Sequence, residues 1–66
     1  MKNKIKIGRA RHTITQQDLA EKIGVSRETI NALESNKYVP STVLALKISR
    51  LFRLSVEEIF LLDEND

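Results

Sequence analysis

His12 is the only histidine of the chain and cysteine is absent. No zinc-ligand spacing, iron–sulfur site or thiol nucleophile can be written from such a set. A serine–histidine–acid relay would have to use His12 itself, and with that one histidine in the first helix no such arrangement is expected. The adjacent carboxylates Glu57 and Glu58 follow Ser55 and read as the first turn of a capped helix, not as an acid/base pair. Enzymatic chemistry is therefore not expected, and neither is a metal or cofactor. What remains is binding chemistry. Lys2, Lys4, Lys6, Arg9 and Arg11 occupy residues 1–11 with no acid, whereas Glu57, Glu58, Asp63, Glu64 and Asp66 occupy residues 57–66 with no base. A basic leading end suits a polyanion; the acidic tail is expected to point away from it, or else to serve only solubility.

Sixty-six residues allow one small domain, read as residues 1–66. The composition, 41% hydrophobic and 30% charged, is that of a folded chain with a core. Without cysteine no disulfide can supplement a core of this size, so stability must come from regular packing or from a partner subunit. No stretch approaches a membrane span and the start has no apolar signal region, so a cytoplasmic location is expected, with no membrane partner.

Two glycines and one proline punctuate the chain, and β-branched residues do not alternate with polar ones over any useful length. That pattern argues against a sheet. Apolar residues recur at helical spacing, and three segments share one grammar: an apolar residue, a hydroxyl cap, a polar residue three positions on and a second apolar residue. They are Ile14-Thr15 with Asp18-Leu19, Val25-Ser26 with Thr29-Ile30, and Leu54-Ser55 with Glu58-Ile59. Each combines a capping box with a hydrophobic staple, the second weakened by threonine at the third helical position. Helices are predicted at residues 4–12, 16–23, 27–35, 42–52 and 56–61. Gly24 stops the second helix where positive φ is needed. Pro40 bars the third from continuing, and Ser41 caps the fourth.

Two helices separated by a glycine, an apolar residue and a serine cannot lie antiparallel; so short a turn makes them cross steeply, as in a helix-turn-helix. Ala20 is small where the two backbones approach, and Leu19, Ile23, Val25, Ile30 and Leu33 provide apolar contacts. The run from Thr15 to Phe60, TQQDLAEKIGVSRETINALESNKYVPSTVLALKISRLFRLSVEEIF, resembles the Cro/cI-type, xenobiotic-response-element-like helix-turn-helix family of small transcriptional regulators. The resemblance extends from about Ile5 to Phe60. It implies an all-α fold, a compact five-helix repressor-like domain with the helix-turn-helix core at residues 16–35, its third helix in the major groove of double-stranded DNA, and a homodimer on a palindromic operator.

The resemblance carries to particular residues. Gln16 and Gln17 match positions directed to a backbone phosphate. Arg27, Glu28, Asn31 and Ala32 match the base-reading set, flanked by Ser26 and Thr29 toward phosphates. Arginine can pair bidentately with guanine O6 and N7, and asparagine with adenine. Glu28 departs from the usual glutamine and is left to accept from cytosine N4 or to orient Arg27. Arg9 and Glu34 match a structural salt bridge between the first helix and the end of the third. In the following loop Asn36 is placed at a left-handed cap, Lys37 at a phosphate, and Tyr38 in packing with its hydroxyl toward DNA. Gly8 departs from the usual alanine or leucine, leaving the first helix frayed or closely packed there. His12 reads as a surface residue near a helix C-terminus.

Leu44, Ala45, Ile48, Leu51 and Phe52 form a core stripe, as do Val56, Ile59 and Phe60. Leu61 and Leu62 are surplus to so short a stripe. A dimerisation region at about residues 50–62 is therefore expected, with Leu54, Ile59, Phe60, Leu61 and Leu62 at its interface; the alternative is a monomer whose tail folds back over its own core. The expected function is a homodimeric, sequence-specific repressor. An antitoxin or a restriction-modification controller shares the same chemistry, and a non-catalytic protein-docking module is the alternative of another class. With no room for a sensor domain, control is expected from concentration, from a regulatory protein partner or from loss of the dimer.

Overall fold

Four hydroxyl residues set where the main helices begin, and their geometry is seen directly in a computed structural model that describes residues 1–66. The elements are β1 (Lys2–Asn3), α1 (Ile5–His12), α2 (Gln16–Ile23), α3 (Arg27–Glu34), α4 (Thr42–Phe52), α5 (Val56–Ile59) and β2 (Phe60–Leu61). Thr15 Oγ1 accepts from the Asp18 amide at 3.0 Å while the Asp18 carboxylate accepts from the Thr15 amide at 3.0 Å. Ser55 and Glu58 repeat this reciprocal box at 3.1 and 2.9 Å. The hydrogen bond from the Thr15 amide holds the Asp18 carboxyl below its ordinary range, and that from the Ser55 amide does the same for Glu58. Ser26 caps α3 from one side only: its hydroxyl accepts from the Thr29 amide at 3.2 Å and meets the Thr29 hydroxyl at 3.0 Å. Ser41 accepts from the Leu44 amide at 3.2 Å to start α4.

Gly24 ends α2 with φ +76°, and the Gly24 and Val25 amides both close on the Ala20 carbonyl, at 2.9 and 3.0 Å. The steep α2–α3 crossing buries Leu19, Ala20, Ile23, Ile30 and Leu33. These side chains merge with Ile5, Ile48, Phe52 and Ile59 in a single apolar cluster, against which α1, α4 and α5 close. No helix is long and apolar enough to cross a membrane.

Three expectations are corrected. The fifth helix ends at Ile59, not at residue 61, and Phe60 is extended at φ −110°, ψ 125°. Phe60 and Leu61 pair antiparallel with Asn3 and Lys2, so a two-stranded sheet exists where none was expected. A ladder of two residues per strand is too short to show an alternating pattern in sequence. It turns Phe60 inward and Leu61 outward, as the twofold period of a strand requires. The acidic tail, expected to avoid the basic leading end, folds back on it. The Met1 amino group meets Asp63 at 3.2 Å and Asp66 at 3.1 Å, and the hydrogen bonds it donates to Asp66 and then to Asp63 raise its pKa above the ordinary value. Attraction between opposite charges, with the β1–β2 ladder beneath it, decides the path.

Helices α1 and α4 end without glycine. Thr13 and Arg53 adopt left-handed conformations, φ 54° and 57°, a strained choice for a β-branched residue at position 13. The Ile14 amide closes on the Arg9 carbonyl at 3.1 Å and the Leu54 amide on that of Ser49 at 3.1 Å, so both ends satisfy carbonyls that helix termination leaves open.

Gly8 is closely packed, not frayed. A Cβ there would stand 2.7 Å from Phe52 Cε2, and the Phe52 ring also stacks with His12, the two ring centroids 5.3 Å apart. Gly8→Ala gains about 1 kcal/mol of helix propensity, but overpacking typically costs 1–3 kcal/mol. The expected outcome is a net loss of about 1 kcal/mol, which for a domain this small lowers Tm by roughly 4–8 °C. Thermal unfolding checks this, with Gly8→Ala/Phe52→Leu expected to recover much of the loss.

Candidate nucleic-acid interface

Glu34, the last residue of α3, joins the surfaces of three helices. Its carboxylate accepts from Arg9 of α1 through Nε at 2.5 Å and Nη2 at 3.1 Å, a bidentate fork with side chains only 15% and 7% exposed. Arg9 Nη1 also donates to the Ile14 carbonyl at 3.1 Å, in the segment leading into α2. The hydrogen bonds from Arg9 to Glu34 raise the guanidinium pKa further above its already high value. Gln16, at the start of α2, donates from Nε2 to Glu34 Oε1 at 3.2 Å and to Asn31 Oδ1 at 3.3 Å. One carboxylate thus ties α1, the N-terminus of α2 and the C-terminus of α3 together.

The network leaves a defined face on α3. Arg27 and Asn31 are four residues apart and lie on one helical stripe; Glu28 and Ala32 form the adjoining one. Arg27, Glu28 and Asn31 are exposed and Ala32 is half-buried. Asn31 presents a free Nδ2 donor beside an oxygen already engaged by Gln16, so its carboxamide is oriented before any ligand arrives. Glu28 belongs to none of the ion pairs, so it does not orient Arg27 in the free chain. Gln17 is exposed in the first turn of α2, and Ser26 and half-buried Thr29 are occupied in capping α3.

After α3 the chain turns at Ser35, with Asn36 left-handed at φ 59°, followed by exposed Lys37 and Tyr38. Asn3 of β1 reaches this turn. Its Nδ2 donates to the Leu33 carbonyl at 2.7 Å and to Asn36 Oδ1 at 2.9 Å. Sequence reasoning missed Asn3, because an asparagine before a helix reads as a local turn or cap residue and nothing near it in sequence points to residues 33 and 36. No group of three or more His, Cys, Asp or Glu is placed to hold a metal ion.

Away from this face, the expected interface residues divide. Ile59 is 0% and Phe60 8% exposed, which corrects their assignment to an intersubunit surface: a one-turn helix has a single apolar stripe, and the chain's own core takes it. Leu54 is half-buried, while Leu61 and Leu62 are 38% and 81% exposed. Leu54 and Leu61 line a groove of about 310 Å³ with Ile7, which carries Lys4 and Arg11 as well as Glu57 and Glu58.

Comparison with known proteins agrees with this geometry. Residues 5–59 match the profile of the family described as Helix-turn-helix. The chain is 52% identical over 66 residues to an uncharacterized HTH-type transcriptional regulator of Methanocaldococcus jannaschii, covering 100% of both. It is 47% identical over 66 residues to the uncharacterized HTH-type transcriptional regulator YgzD of Bacillus subtilis, again covering 100% of both. The crystal structure of a protein from Bacteroides fragilis, described as a candidate DNA-binding protein, superposes with a TM-score of 0.78 at 33% identity, over 88% of this chain and 94% of that one.

Removing one partner of a largely buried pair strands the other's charge, at a cost of about 3 kcal/mol. Glu34→Ala is therefore expected to destabilise the chain by about that amount, and Glu34→Gln by less because its oxygen still accepts from Arg9. Chemical denaturation compares the two; equal losses would show that the negative charge of Glu34, not its shape or its hydrogen-bonding oxygen, carries the contribution.

Proposed function

The chain belongs to the helix-turn-helix family and is a DNA-binding transcriptional regulator, not an enzyme, and from that premise we propose that it acts in the cytoplasm as a homodimeric repressor of a palindromic operator. The whole of residues 1–66 forms the DNA-binding domain, with its helix-turn-helix core at residues 16–35 and its dimerisation region within residues 50–62.

The observation that carries this reading is the exposed Arg27–Asn31 stripe on a helix whose far end is clamped by Glu34. A base-reading helix must be held rigidly while its outer side chains stay free, and both conditions are met. Arg27 reads guanine and Asn31 adenine in the major groove. Glu28, unpaired within the chain, accepts from cytosine N4, while Ala32 offers an apolar contact to a thymine methyl. Gln16, Gln17, Ser26 and Thr29 approach phosphates near the starts of α2 and α3, where backbone amides and helix dipoles favour anions. Lys37 and the Tyr38 hydroxyl reach phosphates from the turn after α3.

The dimer reading is supported by the exposed Leu62 and by the groove of Ile7, Leu54 and Leu61. The groove carries cations and anions together, so an isologous contact can set the cations of each copy against the anions of the other. Repression follows from occupancy of promoter DNA, and dissociation of the dimer or a regulatory protein partner would relieve it.

Selection of the purified chain on a random duplex pool at about 0.15 M salt tests the proposal, because nonspecific binding is weak there. An enriched palindrome with half-sites about 34 Å apart is expected. Arg27→Ala should lose about 1–3 kcal/mol at one base pair and relax that position, whereas Lys37→Ala should weaken all sequences alike. Equal losses on operator and random DNA for Arg27→Ala would remove its base-reading role. Absence of enrichment would instead favour a protein-docking module. In the second test, Leu62→Lys is expected to shift sedimentation from dimer to monomer while leaving the fold intact; an unchanged dimer would place the interface elsewhere.

A further inference from the structure

We propose that Asn3 is a positioning residue for DNA binding, setting the turn that aims Lys37 at a phosphate; the inference rests on the DNA-binding reading above.

The Asn3 side chain has no freedom to choose its orientation. Its Oδ1 accepts from the Ile5 amide at 3.1 Å, at a helix start that has no side-chain cap from Lys4. Only an oxygen can accept there, so Nδ2 must face the other way. Both of its hydrogens are then used, one on the Leu33 carbonyl and one on Asn36 Oδ1, at 2.7 and 2.9 Å. The Leu33 carbonyl also accepts from the Asn36 amide at 3.0 Å, so Asn3 grips a closed turn at two points.

The base of this grip is fixed as well. Asn3 pairs with Phe60 in the β1–β2 ladder, and the Lys4 amide donates to the Ile59 carbonyl at 2.8 Å. Phe60 and Ile59 are core residues. Asn3 therefore links the apolar core to the left-handed Asn36, and the next residue is Lys37, whose amide closes on the Ala32 carbonyl at 3.0 Å. Lys37 has no ion pair and is exposed. With no partner to hold its side chain, only the point and the Cα–Cβ direction from which Lys37 leaves the chain are set, and the backbone of the turn sets them. An asparagine with both donors spent on the end of a DNA-reading helix has a positioning role that a simple turn former would not need.

The test measures affinity for the selected operator as a function of salt, using the full chain at a temperature where circular dichroism shows each variant folded. Asn3→Ala is expected to bind about tenfold more weakly and to lower the log–log salt slope by about one, the signature of one lost phosphate contact. Lys37→Ala should give the same change, and the double variant should be no worse than either single one. Base preference at the position read by Arg27 should not move. Asn3→Asp keeps the acceptor for Ile5 but has no donors, and should behave as Asn3→Ala. Asn36→Gly leaves β1 untouched, tolerates the left-handed turn and removes one acceptor of Asn3; a lowered slope is expected for it too.

A folded Asn3→Ala chain with wild-type slope would overturn the proposal, as would losses that multiply in the double variant. Loss of thermal stability with unchanged operator affinity would reduce Asn3 to a structural role, and so would also overturn it. If Asn3→Ala does not fold, a wild-type slope for Asn36→Gly overturns it alone. Failure of the wild-type chain to select any DNA overturns the functional reading itself, an outcome seen before any Asn3 variant is measured.

Discussion

Glu34 accepts hydrogen bonds from Arg9 and Gln16 at one end of α3, and the orientation of the helix-turn-helix depends on that convergence. Gly24 and the apolar α2–α3 contacts determine that the two helices cross steeply and that Ile30 and Leu33 face inward. The bidentate Arg9–Glu34 fork, which has directional preference, then ties the C-terminal end of α3 to α1. With side chains almost out of solvent it resists screening by salt, which matters for a protein whose ligand is a polyanion.

The core is small and its pieces are shaped to one another. Gly8 leaves the space that the Phe52 ring fills, His12 closes over that ring, and Ile59 and Phe60 complete the cluster from the far end of the chain. The β1–β2 ladder and the Met1 contacts with Asp63 and Asp66 then join the two termini. Opposite charges meet at that joined end. The outer face of α3 presents Arg27 and the carboxamide of Asn31, with Glu28 as the acid on that face.

This arrangement leaves two chemically different surfaces. The end with Ile7, Leu54, Leu61 and Leu62 retains exposed apolar surface, whereas α3 presents polar side chains ahead of a clamped C-terminus. Asn3 lies between the two regions, its backbone in the ladder and its side chain on the turn after α3.

Much of the fold was legible because its signals act over three or four residues. The hydroxyls of Thr15, Ser26, Ser41 and Ser55 cap the helices they precede, and Gly24 takes the positive φ that ends α2. Left-handed Asn36 belongs to the same local grammar, but Thr13 and Arg53, left-handed without glycine, gave no such sign. By itself the sequence determined where helices start, which faces turn inward and that the second and third helices cross. Only the tertiary structure decided that α5 stops at Ile59, that the acidic tail returns to Met1, that Gly8 is sterically required and that Asn3 holds the turn after α3. Those features depend on meetings between residues 30, 33 and 65 positions apart, or on a ring filling one particular gap. Neither propensity nor spacing encodes such a distance until the core has closed and brought the groups together.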